Sequence, residues 1–308
     1  MIKPNVFIVG APKCGTTSLA YYLNEHRDIF VCNPKEPNYF SDDINNNHLD
    51  SGIKLNCDVD YLSLFDNGNV PIRIDASTTY LYSKHAPKKI KKFSPSAKII
   101  IMIRNPTELV ESLHQEELHS FEEDLDSLID AWNMQDKRRV GECVPKTCRS
   151  VAKLMYRDIA SHTVNIKRYF DVFGEDSVKV ILLEDLKNNP SDVYNNTLKF
   201  LGLNQDGRAD FPIINNAKLY RNRYIAKLIK SPGKNTEYFF LFIRNFLWSL
   251  GLKGVRSSLL KFMTKSYKKR APYRDRALIG KEFEKDIQST SKLISRNLDH
   301  WIIVKEDL

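Results

Sequence analysis

Apolar residues gather in four short runs along the chain: Val6–Val9, Ile72–Ile74, Lys98–Ile103 and Val178–Leu183. Strands covered on both faces show continuous rather than alternating apolar positions, so these runs predict buried strands of a parallel sheet. Between them the spacing becomes helical. Leu19, Tyr22, Leu23 and His26 follow i, i+3, i+4, i+7, Leu109, Leu113 and residues 116–118 continue a second helix, and a third covers about 151–173. A last helix, over about 278–301, sets Phe283, Ile287, Leu293 and Leu298 at helical spacing. Strands alternating with helices predict an α/β fold with right-handed crossovers. The Asn-rich stretch 42–52 and residues 234–237 read as loops, and "KSYKKRAPYRDR" at 265–276 as a basic loop with a proline stop. No internal repeat or low-complexity linker interrupts the chain, so residues 1–308 are expected to form a single domain.

The 308 residues, 42% hydrophobic and 28% charged, suffice for a substantial core and are ordinary for a globular protein. A net charge of +9 points to an anionic partner: nucleic acid, a membrane surface, a nucleotide, or a sulfated or phosphorylated substrate. The five cysteines have no zinc-like spacing; Cys143 and Cys148 are close in sequence but are expected as reduced thiols in a cytoplasmic protein. The run at Val6 has the length of a strand and a loop behind it, and is not expected to be a signal peptide. "YFFLFIRNFLWSLGL" at 238–252 is interrupted by Arg244 and Asn245 and is too short to span a bilayer. It reads as a buried or groove-lining helix, with peripheral membrane contact left open by Lys253, Arg256 and Lys261.

Chemistry first shows in "FIVGAPKCGTTSL" at 7–19. A strand, a glycine turn and a helix start present unpaired backbone N–H groups and the positive end of a helix dipole to one point. Lys13 adds a charge and Thr16, Thr17 and Ser18 add hydroxyls, a set suited to a phosphate or sulfate ester. Gly10 and Gly15 have the separation of a nucleotide-hydrolysing P-loop, G-x-x-x-x-G-K-[ST], yet Thr16 stands where its lysine belongs. Metal-dependent hydrolysis would also need an acid after a strand, and Asp75 and Glu184 both end predicted strands. A kinase or NTPase, and a non-catalytic anion binder, therefore stay open on these residues. A second anion grip follows the strand "KIIIMIR": Arg104 ends it, Asn105-Pro106 starts a helix, and Ser112 lies about two turns along.

Together these stretches resemble the sulfotransferases that use 3′-phosphoadenosine 5′-phosphosulfate (PAPS). "PKCGTTSL" is similar to that family's 5′-phosphosulfate loop, P-K-x-G-T-[ST]-x-L, and "RNPTELVES" to its 3′-phosphate motif, R-x-P-x-x-x-x-x-S. "PKEPNYFSDD" at 34–43, "DASTTYL" at 75–81 and "KKRAPY" at 268–273 with the following helix resemble the bacterial and heparan-sulfate branch, so the likeness spans about residues 5–301. It implies a P-loop-type parallel sheet flanked by helices, transfer of a sulfuryl group from PAPS to a hydroxyl or amine with PAP as product, and no metal. It implies an acceptor that is a glycan or glycolipid, and no nucleic-acid partner.

By the same resemblance Lys13 contacts the 5′-phosphate and bridging oxygen, and Cys14, Gly15, Thr16, Thr17 and Ser18 complete the cradle. Glu36 matches the catalytic base, while Lys35 and Ser77 are weaker substrate contacts. Arg104 and Ser112 bind the 3′-phosphate, and Lys268, Lys269 and Arg270 match a K-G-R loop over the donor, with Lys269 in place of its glycine. Ala76 replaces the lysine of the E-K-[ST]-P segment and Asp75 its glutamate, and no cysteine lies beyond Cys148, so a heparan-type polymer is not supported. His114 and His119 follow the 3′-phosphate motif on a helix that could reach a cleft.

Overall fold

In the computed structural model, described for residues 2–44, 55, 57–66, 68–212, 214, 218–220, 264–266 and 270–302, each apolar run forms a strand. They are β1 (Val6–Gly10), β3 (Ile72–Ala76), β4 (Lys98–Ile103) and β5 (Val178–Leu182). A further strand, β2 (Ile29–Val31), completes one sheet in the order β2-β3-β1-β4-β5, every neighbouring pair parallel. The sequence reading missed β2 because three residues at a sheet edge carry too short a pattern. Every residue of β1 is buried, as is every residue of β4 after Lys98, which is why these two central strands read as unbroken apolar runs. This is the expected α/β architecture, and the expectation of a P-loop-type sheet holds.

The chain leaves β1 toward β2 on one side and later adds β4 on the other. The carboxyl ends of β1 and β4 therefore flank a topological switch point, the usual place for a ligand in an open α/β sheet. Helix α1 (Thr16–Asn24) starts there behind β1 and, after α2 (Asp58–Ser63) and α3 (Ala86–Phe93), α4 (Pro106–Ser120) starts there behind β4. Asn105 caps α4, its Oδ1 accepting from the amides of Thr107 and Glu108, with Pro106 at the first position.

Two helix predictions change. Beyond the short helices α5 (Leu128–Asn133) and α6 (Gln135–Arg139), the third helix is divided into a 3-10 turn at Val151–Leu154, α7 (Tyr156–Ala160) and α8 (His162–Phe173). The division at Ser161 is stabilised from a distance: the Asp286 carboxylate accepts from the amides of His162 and Thr163. The last helix runs over Tyr273–Leu293, so Pro272 begins it rather than stopping a loop, and residues 299–301 form a separate 3-10 turn. Residues 264–266, the last two of them expected within that loop, pair antiparallel with 218–220. The segment 238–252 lies outside the described residues. Among the described residues no helix is long and apolar enough to cross a membrane. Cys143 and Cys148 are both free thiols.

The end of α4 buries three acids in different ways. Glu123 forms a fork with Arg138, both side chains fully buried, and Glu122 binds Arg149. Glu117 accepts from the Ser120 hydroxyl at 3.2 Å, and burial pushes its carboxyl up to about 8 despite the opposing pull of Lys153. An unfolded chain releases this proton near the ordinary 4.5, so between that pH and about 8 the folded state binds more protons than the unfolded one. Stability from this group is therefore full at low pH and declines as pH rises through that window. Glu117→Gln is expected to flatten the fall of Tm between pH 5 and pH 8, read by thermal melts across buffers; an unchanged slope would show that Glu117 is not the group responsible.

Candidate active site

Between β1 and α1 the loop makes its turn with residues that local sterics single out. Gly10 and Gly15 have φ of 140° and 84°, and a Cβ at either would meet other atoms at 2.8 Å: the Thr78 carbonyl and Leu81 at Gly10, Leu183 at Gly15. Lys13 itself has a φ of 61°, an uncommon conformation for a side-chain-bearing residue and one that recurs where function holds the backbone. Gly15 caps α1 with no side chain satisfying the first-turn amides, so those N–H groups face the loop's mouth. Ser18 turns elsewhere, donating to the Ile214 carbonyl at 3.4 Å. Cys14 is fully buried and burial pushes its thiol up to about 12, which leaves the thiol protonated and unreactive.

The second grip lies against the first. Arg104 Nη1 donates to the Lys13 carbonyl at 3.3 Å, and Nη2 pairs with Glu108. Arg104 Nε is buried with no hydrogen-bond partner among the described residues. The Lys13 ammonium meets Glu116 Oε2 at 2.6 Å. Glu108, Ser112 and Glu116 are spaced four apart on α4, so they share one helix face. Since the first touches Arg104 and the last touches Lys13, half-buried Ser112 lies on the stripe between the two cations. A rise of about 1.5 Å per residue separates the two ends by roughly 12 Å along the helix. One turn over, Glu111 accepts from the Ala271 amide, which docks the start of the last helix beside the stripe; against the upward push of burial, the hydrogen bond and charge of Arg104, with smaller help from Lys187 and Arg270, hold the Glu108 carboxyl below its usual range. Lys268 and Lys269 lie outside the described residues.

Arg104 also lines a cleft with Glu108, Leu183, Lys187, His300 and Trp301. Lys187 was missed from sequence: it sits on a short helix, Leu183–Asn188, just past the end of β5, and only the fold brings it opposite Arg104. The Glu184 carboxylate accepts from Trp301 Nε1 at 3.1 Å and meets His300 Nε2 at 2.7 Å.

On the other side of β1, residues 34–41 dock on the end of β3. Tyr39 stacks on Tyr61 with ring centroids 4.5 Å apart, and Phe40 meets Tyr61 edge-on at 5.2 Å. Glu36 has a φ of 62°; its carboxylate binds Lys35 Nζ at 2.7 Å and accepts from Thr78 Oγ1 at 3.4 Å. Thr78 is the residue whose carbonyl lies against Gly10, so Glu36 is placed beside the loop, with 39% of its side chain exposed. Lys35 is occupied with Glu36. Ser77 does not meet solvent at all: its hydroxyl donates to Asp75 Oδ1 at 2.7 Å and accepts from the Asn38 amide at 3.1 Å, which corrects its expected substrate contact. Asp75 takes two more hydroxyls, from Tyr61 at 2.7 Å and Tyr80 at 2.9 Å, and burial pushes its carboxyl up to about 6. His114 is also buried, its Nε2 bonded to the Leu125 carbonyl at 2.8 Å, and burial lowers its basicity. It does not line the cleft.

Residues 3–223 match the family model described as the sulfotransferase domain. The mouse bifunctional heparan sulfate N-deacetylase/N-sulfotransferase 4 is 25% identical over 202 residues, which are 65% of this chain and 22% of that protein. The human N-deacetylase/N-sulfotransferase 3 is 27% identical over 204 residues, again 65% of this chain and 22% of that protein. Mouse carbohydrate sulfotransferase 15 is 24% identical over 282 residues, 76% of this chain and 47% of that one. The chain thus spans less than half the length of each of these relatives. A crystal structure of a sulfotransferase from Alicyclobacillus acidocaldarius shares the fold, with a TM-score of 0.71, 24% identity, and coverage of 98% of this chain and 99% of that one.

Proposed function

The chain belongs to the sulfotransferase domain family, and we propose that it is an enzyme that moves a sulfuryl group from PAPS to a hydroxyl or amine of a carbohydrate or glycoconjugate. The observation that carries the donor assignment is the pair of cations, Lys13 and Arg104, set at the two ends of one α4 stripe beside the open amides of α1. A donor with two separated anionic groups, carrying about four negative charges, matches that spacing. The buried Nε of Arg104, with no partner among the described residues, is a donor suited to an anionic acceptor, and Arg270 and Lys187 add charge at the same end.

PAPS, when bound, supplies the sulfuryl group and a good leaving phosphate. The amides of Gly15, Thr16 and Thr17 orient its 5′ end, and Lys13 stabilises charge that develops on the departing oxygen. Arg104, with Ser112 beside it, holds the 3′-phosphate. Glu36 takes the proton of the attacking hydroxyl or amine. The carbohydrate acceptor follows from the heparan sulfate and carbohydrate sulfotransferases among the chain's relatives.

Labelled sulfate passing from ³⁵S-PAPS to a panel of glycans, glycolipids and phenols is the direct test. Binding gives a simpler one: PAP is expected to raise Tm, by an amount equivalent to about 2.7 kcal/mol at roughly a hundred times its Kd. ATP–Mg²⁺ is expected to do so weakly, since Asp75 and Glu184, the two strand-end acids, are already held by hydroxyls and by His300 and Trp301. Stabilisation by ATP–Mg²⁺ without PAP would replace this reading with a kinase or NTPase.

A further inference from the structure

Asp75 has no part in the reaction as described, yet it is a fully buried acid at the end of the strand next to the loop. Two residues of the 34–41 segment, Glu36 and Asn38, stand at φ of 62° and 53°. Backbone in that region persists in side-chain-bearing residues only where its surroundings hold it. What holds it can be followed bond by bond. Asp75 Oδ1 accepts the Ser77 hydroxyl proton at 2.7 Å, which leaves the Ser77 oxygen lone pairs to receive the Asn38 amide at 3.1 Å. Asn38 Nδ2 then donates to the Glu36 carbonyl at 2.9 Å, while Asn38 Oδ1 accepts from Thr79 Oγ1 at 2.7 Å. Asp75 is itself held by Tyr61 and Tyr80, which belong to the aromatic cluster that anchors Tyr39 and Phe40.

We infer that Asp75 is a positioning residue for Glu36, acting through Ser77 and Asn38. The inference rests on Glu36 being the acceptor-side base. A carboxylate alone accepts all three hydroxyls; an amide of the same shape puts an N–H against one of them, and the direction of the Ser77 hydroxyl is no longer set. The backbone under Glu36 then loses its reference, and a small displacement of a proton acceptor costs turnover without touching the donor grips on the far side of β1.

The test is Asp75→Asn, with Asn38→Gly as a second variant that keeps the left-handed backbone available and removes the last link to Glu36. Each is expected to lower kcat about tenfold while the Tm shift produced by PAP stays at the wild-type value. Each is also combined with Glu36→Gln. If positioning of Glu36 is the role, neither variant lowers the residual turnover of the Glu36→Gln enzyme further. Wild-type kcat in both variants would overturn the inference. So would the same tenfold loss in the Glu36→Gln background, or loss of the PAP shift, either of which marks a structural role. A Glu36→Gln enzyme with full turnover removes the base itself, and the inference with it; that outcome is read from the single variant alone.

Discussion

Replacing Lys13 with methionine is expected to lower sulfuryl transfer by about 10²- to 10³-fold, the range seen when a donor to developing negative charge is removed. Methionine keeps most of the length of the side chain and discards the ammonium, so the effect reports charge and not bulk. Lys13 is the loop's single cation, seated at its turn and already in ionic contact with Glu116 at 2.6 Å. That pair is partly exposed, 29% and 50%, so it restrains the ammonium only weakly and a dianionic ligand can compete for it. The measurement is the initial rate of ³⁵S transfer at saturating donor, with the Tm of the variant as a control for folding. A rate within tenfold of wild type would take Lys13 out of the transfer step.

The second large effect is expected at Glu36. Glu36→Gln retains the Lys35 and Thr78 neighbours and the backbone bonds of the loop but cannot accept a proton, and turnover is expected to fall by roughly 10²-fold or more. PAP binding is expected to be untouched, because the contacts proposed for PAP lie in the loop before α1, at Arg104 and along α4, and at Arg270. A variant that loses PAP stabilisation along with turnover would mean that Glu36 shapes the donor site instead. Under the proposed transfer, the two experiments separate its two sides: Lys13 on the side of the leaving oxygen, Glu36 on that of the incoming one.

How much of this site can be read before folding depends on the range of the interactions involved. The loop at 10–18 was legible because its features are local: two glycines at fixed spacing, a lysine between them, hydroxyls opening a helix. Arg104 and Ser112 were legible for the same reason, since a strand end and a helix start fix their separation. Glu116 carried a weaker signal. Its four-residue spacing from Ser112 puts it on the same face, but nothing local says that the face meets Lys13, 103 residues earlier. Lys187 had none, because its relation to Arg104 exists only once β5 lies beside β4. Ser77 was misplaced since a serine following a strand reads alike whether it faces a cleft or lies under one; the hydroxyls of Tyr61 and Tyr80 gathered on Asp75 decide that it lies under.

The sequence by itself determined four of the five strands, the loop between β1 and α1 and the family the chain belongs to, because strand and helix periods and short-range spacing are properties of neighbouring residues. Tertiary structure alone decided which charges converge on one α4 face, where the third helix divides, and what holds Glu36 beside the loop. Those outcomes rest on contacts between segments far apart in the chain, such as Asp286 with the start of α8 and Ser77 with Asn38, whose partners have no fixed separation until the core closes.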